Sequence, residues 1–185
     1  MNYKKYFLIS LIIALVGCAL VGIYIFLFGD WDETEEKVFW TTTLVAFYSL
    51  LGFCCSFQQN RKNFKWLSIV GILFSLIALF LSIYAIWGID MGKFFWKVTG
   101  ISTITAFSIA HVSLILLIKP KSKAAKYTLI TTIVFIIIVT GLLINAVICD
   151  FDLADRCLRI LGVFVILDVL GTITTPIMNI LVEKK

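Results

Sequence analysis

Residues 66–87 read WLSIVGILFSLIALFLSIYAIW, a run of 22 residues without a charged side chain. A helix crosses the hydrocarbon core of a bilayer with about 20 such residues. Barrel strands would be about 10 residues long and would alternate apolar with polar side chains. This run is apolar on all sides and is read as a transmembrane helix. Five more runs of the same kind lie at 6–28, 38–57, 94–118, 127–148 and 158–182, and the six together fill roughly three quarters of the chain.

Composition agrees. Residues of the set AVILMFWYC make up 61% of the 185 residues, and charged residues only 15%. Soluble domains run near 45–50% and 25%. Mean hydropathy is +1.05. A soluble fold of this size cannot hide so much apolar surface. The expected fold is therefore an all-α polytopic membrane protein, one domain over 1–185 with six transmembrane helices. The connections are too short for a separate catalytic module.

Charge sets the orientation. One side carries Lys4, Lys5, Arg61, Lys62, Lys65, Lys119, Lys121, Lys123, Lys126, Lys184 and Lys185, opposed only by Glu183. The other carries Lys37, Lys93, Lys97, Arg156 and Arg159 among nine acids. The positive-inside rule then puts both termini in the cytoplasm. The expected location is the cytoplasmic membrane of a bacterium or archaeon. The basic residues flank spans, where they contact anionic lipid headgroups. A nucleic-acid partner is not needed to explain a pI near 9.0. Trp31, Trp40, Trp66, Trp87 and Trp96 lie at or near span ends, as interfacial aromatics do.

Near the N-terminus, Leu15-Val16-Gly17-Cys18 after Lys4 and Lys5 imitates the lipidation motif of a bacterial lipoprotein. The run stays apolar through Phe28, which is long enough to span, so a retained first helix is expected.

The odd spans start about 60 residues apart, and Asp30, Asp90 and Asp150 follow them at intervals of 60. Three helical-hairpin repeats, 1–62, 63–122 and 123–185, would make Ser49, Ser108 and Asp168 equivalent, and likewise Gly52, His111 and Gly171. Units of two spans share one orientation, so such a bundle would be pseudo-threefold about the membrane normal. Chance alignment of apolar helices remains the alternative.

Asp168 is the one acid inside a span, and His111 is the one histidine. An ionisable group at that depth is costly and faces a partner, a cavity or a pathway. One expectation is a proton or cation relay between Asp168 and His111, since histidine titrates in the physiological range. The other is a neutral Asp168 hydrogen-bonded to Ser or Thr of a neighbouring helix. The sixth span also carries Thr172, Thr174, Thr175, Pro176 and Asn179. Pro176 removes the hydrogen bond to the carbonyl of Thr172 and is expected to kink the helix. Thr175 and Asn179 join Asp168, His111, Ser49 and Ser108 as candidate intramembrane polar residues. Thr41, Thr42, Thr43, Thr99, Ser102, Thr103 and Thr105 are read as helix contacts.

Five cysteines show no C-x-x-C spacing. Cys18, Cys54 and Cys55 read as apolar filler. Cys149 and Cys157 bracket the last outer loop, where a disulfide is chemically allowed. In that loop Asp150, Asp152 and Asp155 are read as solvated rather than calcium-binding, because the glycine and distal glutamate of an EF-hand are missing. The acidic stretch 30–36 is read the same way.

One histidine cannot build a three-histidine zinc site, and no G-x-S-x-G, H-E-x-x-H or P-loop occurs. No enzymatic activity, cofactor or metal is expected. The first functional expectation is an accessory or scaffold subunit that binds lipids, other membrane proteins or copies of itself. The second is a small proton- or cation-coupled transporter or channel that uses Asp168 and His111.

Overall fold

The computed structural model describes residues 3–28, 32–60, 65–88, 92–118, 120, 122–149 and 155–183. The described residues are all helical apart from turns and connections. The helices are α1 (Tyr3–Phe28), α2 (Glu33–Ser56), α3 (Lys65–Trp87), α4 (Lys93–Ile115), α5 (Lys123–Ile148) and α6 (Asp155–Glu183), with a 3-10 turn at Phe57–Asn60 after α2. Even the 23-residue α3 and α4 are about 35 Å long at 1.5 Å per residue. Five helices are long and apolar enough to cross a membrane: α2 to α5, and Arg159–Met178 of α6. In α1 the apolar stretch among the described residues is Leu15–Phe28.

The helix ends follow local chemistry. Asp32 precedes α2 in extended conformation, and Glu33, Glu35 and Glu36 fill its first turn, where carboxylates complement the positive end of the helix dipole. Ser122 caps α5 by accepting a hydrogen bond from the Ala125 amide at 3.0 Å. The apolar run of the fourth span extends to residue 118. The helix stops at Ile115 and tightens, with Leu117 donating to Leu114 and Ile118 to Ile115. Pro120 follows two residues later and cannot continue a helix.

Each helix packs on the next in chain order, and α2 also packs on α4. Among the described residues, no interface of comparable extent joins α1 or α2 to α6. The helices thus form an open row, in which α4 has α2 and α3 on one side and α5 on the other.

Much of the interior is built from small and polar side chains beside a few buried aliphatics such as Leu51, Ile115 and Ile136, while many large aliphatic residues face outward. On α3 the buried residues are Ser68, Gly71, Ser75, Ala78, Ser82 and Ala85. Their spacing alternates three and four, the 3.5-residue repeat of a left-handed helix seam. Buried residues of α5 from Ala125 to Val139 follow the same spacing. Small residues let backbones approach closely, which is how helices associate where lipid removes the hydrophobic drive. At Gly71 the approach is close: an added Cβ would lie 2.5 Å from Sγ of Cys55 and 2.8 Å from Cγ2 of Ile109. Meanwhile Phe80 is 69% exposed and Ile166 68%. Aliphatic exposure on this scale is untenable in water and ordinary in a bilayer.

Candidate functional site

Two seams of α4 decide where polar groups meet. Thr99, Thr103, Ala106, Ala110 and Ser113 are spaced by four and three along one seam. Ser108, His111 and Ile115 are spaced the same way along another. The first seam meets α2 and α3. The second meets α5 and α6.

On the first seam, Tyr48 of α2 is buried with its hydroxyl 2.6 Å from Oγ1 of Thr103 and 2.9 Å from Oγ of Ser82. Thr103 donates its own proton to the Thr99 carbonyl at 2.9 Å. It must therefore accept from Tyr48, and Tyr48 in turn accepts from Ser82. The hydroxyls of three helices form one directed chain that ends on a backbone carbonyl. Tyr48 and Ser82 have no specific signature in the sequence. The repeat S-x-x-G-x-x-x-S-x-x-A-x-x-x-S-x-x-A over residues 68–85 is the signal that could have located the α3 face.

On the second seam, His111 reaches α6 with both ring nitrogens. Its Nε2 lies 3.0 Å from Oγ1 of Thr172, and its Nδ1 lies 3.8 Å from Oδ2 of Asp168. Thr172 donates to the carbonyl of Asp168 at 2.8 Å. Asp168 is only 8% exposed, and its Oδ1 is buried without a hydrogen bond. A separation of 3.8 Å is beyond hydrogen-bond range, so the pair is an electrostatic contact with spare capacity. The Phe107 ring flanks the imidazole at 6.2 Å between centroids.

The other expected residues distribute around this pair. Ser108 donates to the Ile104 carbonyl and lies 2.7 Å from the hydroxyl of Thr140 of α5, whose one proton faces both Ser108 and the Ile136 carbonyl at 2.7 Å. Thr175 is fully buried, donates to the Gly171 carbonyl and lies 3.3 Å from Oγ1 of Thr132. A Cβ on Gly171 would come within 2.5 Å of that same Thr132 oxygen, so α5 and α6 touch closely there. Ser49 is half-buried on α2, away from the α4–α6 contact. Pro176 lies inside α6, which continues through to Glu183. The side chain of Asn179 lies outside the described residues.

Cys149 is an exposed free thiol, 3.5 Å from Oδ1 of Asn145. The side chain of Cys157 and the loop 150–154 lie outside the described residues, and the disulfide and calcium questions fall there. Among the described residues no group of three His, Cys, Asp or Glu could hold a metal ion.

A third polar cluster, at the basic end of the helices, escaped the sequence reading. Gln58 lies in the 3-10 turn, fully buried, and its Nε2 donates to the Ser113 carbonyl at 2.7 Å. Its Oε1 and the hydroxyl of Ser68 are buried without a hydrogen bond, and the Ser113 hydroxyl meets the Cys55 thiol. Gln58 opens the run Gln-Gln-Asn-Arg-Lys, which has the composition of a solvated loop and carries no signal of burial. No known protein family, curated relative or solved structure matches the chain.

Proposed function

We propose that this chain is a six-span membrane protein, both termini cytoplasmic, which couples movement of a proton or other cation to a rearrangement of α6 against α4. The observation that carries this is the contact of His111 with Asp168, whose Oδ1 is buried and lacks a partner. A buried carboxylate oxygen left without a hydrogen bond is costly, and ionisable groups are kept inside spans where they serve pathways and relays. α6 is joined to the rest of the row by α5 and by this contact, so a change of charge at the pair acts directly on how α6 is held. Pro176 lies eight residues further, about 12 Å along the axis, where the helix lacks one backbone bond and bends at low cost.

The test is flux. Purified protein in liposomes that enclose a pH-sensitive dye should dissipate an imposed proton or cation gradient. The Asp168→Asn protein, folded to the same extent by circular dichroism, should not. Flux that survives this substitution removes Asp168 from the mechanism.

A second reading, an accessory or scaffold subunit, rests on α1. It packs on α2 alone, and Ile25 is its one buried side chain among those described. Extraction in a mild detergent from the native membrane would then bring a stoichiometric partner, a second copy or bound anionic lipid. A clean monomer without lipid speaks against it.

A further inference from the structure

We infer that His111 and Asp168 form a one-proton site whose ligand is a proton rather than a metal ion, with Thr172 fixing the imidazole tautomer; this rests on reading the pair as the functional centre.

The Thr172 hydroxyl has one proton, and it goes to the Asp168 carbonyl at 2.8 Å. With that proton so placed, its oxygen accepts from the imidazole, and Nε2, at 3.0 Å, carries a proton. Nδ1 then meets Oδ2 of Asp168 either as a lone pair or as a second N–H.

Counting protons leaves three states. With none between them, a nitrogen lone pair faces a carboxylate, and a net negative charge stays in the span. With two, imidazolium faces a neutral acid, and a net positive charge stays there. With one, on Nδ1 or on Oδ2, the pair is net neutral. Low surrounding dielectric penalises the first two states.

Among the described residues no other charge nearby offsets them. His111 is the one ionisable neighbour acting on Asp168 among the described residues. Between Arg159 and Glu183, α6 has no further Asp, Glu, Lys or Arg. Where α5 meets the two helices of the pair it contributes hydroxyls, Thr132 beside Thr175 and Thr140 beside Ser108. Tyr48 and Cys55 belong to the other seam of α4. A divalent cation such as calcium would want six to eight oxygens, and the described residues here provide one carboxylate and one hydroxyl.

Because the chain has a single histidine, nitrogen-15 NMR of histidine-labelled protein in lipid nanodiscs reads this site alone. Expected are a protonated Nε2 and a Nδ1 resonance that moves on Asp168→Asn. Thr172→Val should mix the tautomers, and Thr172→Ser should restore the single form. A neutral Nδ1–H tautomer in the unsubstituted protein overturns the assignment. So does a Nδ1 shift on adding sodium or potassium at constant pH, which would make the ligand a metal cation. Should the expected tautomer appear while liposomes show no flux, transport fails and the proton site stands.

Discussion

α4 separates two polar clusters that the same chemistry built differently. On the side of α2 and α3, Ser82, Tyr48 and Thr103 pass their protons in one direction to the Thr99 carbonyl, and every hydroxyl in the chain donates. On the side of α6, His111 and Asp168 face each other across 3.8 Å, with Oδ1 of Asp168 unpartnered. The first network is closed and contains no charge, so it holds three helices together and has nothing further to bind. The second is open and can gain or lose a proton. Between these two networks, closure goes with structure, and the open pair, which can also titrate, is the centre proposed above to act.

The largest expected effect breaks this comparison directly. Asp168→Asn should reduce proton flux to the level of empty liposomes and leave thermal unfolding in detergent nearly unchanged, because the amide keeps the shape. Loss of fold with loss of flux would instead make the open cluster structural, like the closed one.

Next in size is a steric effect. Gly71→Ala places a methyl group against Cys55 and Ile109 where α2, α3 and α4 converge. Overpacking of this kind costs about 1–3 kcal/mol. Gly52, on α2, has nothing within 4 Å of an added Cβ. Gly52→Ala should leave stability unchanged or raise it by up to about 1 kcal/mol, since glycine is a poor helix former. Denaturant titration of both variants measures the difference. Equal effects would mean that the seam around Gly71 is loose.

Smaller again is Tyr48→Phe, which removes the hydroxyl from the closed network. Interhelical hydrogen bonds in membranes average about 0.6 kcal/mol, so losing the two at Tyr48 should cost about 1 kcal/mol and leave flux intact. Flux that falls with Tyr48→Phe would extend the functional centre across α4.

Different parts of this architecture were legible to different degrees, for physical reasons. Six helices were legible because a bilayer demands long apolar runs, and turn and end positions differ by only a few residues from those runs. Asp168 was legible because one carboxylate in a long apolar run has no innocuous explanation. Its pairing with His111 was a proposal of the sequence and is a contact in the structure. Tyr48 was not legible, because a tyrosine in an apolar span is ordinary until two hydroxyls from other helices arrive beside it. Gln58 was less so, since its burial depends on the 3-10 turn folding back over α3 and α4. The arrangement of helices into an open row is set by side-chain packing among α2, α3 and α4, which apolar periodicity alone does not encode.

The smallest effect sharpens where the open cluster ends. Ser108 precedes His111 by three residues on the same seam, about 4.5 Å along the axis, and accepts at 2.7 Å from Thr140, which shares its one proton with the Ile136 carbonyl. It also donates to the Ile104 carbonyl, so both of its hydrogen-bonding roles are filled, as at Tyr48. By the criterion of closure it belongs to the structural class, although it lies beside the pair. Thr140→Val removes the donor to Ser108 and keeps the side-chain volume. The expected cost is about 0.6 kcal/mol, with flux and the His111 tautomer unchanged. A changed tautomer would place Ser108 in the proton path, and proximity to the pair rather than closure of hydrogen bonds would then decide which hydroxyls take part.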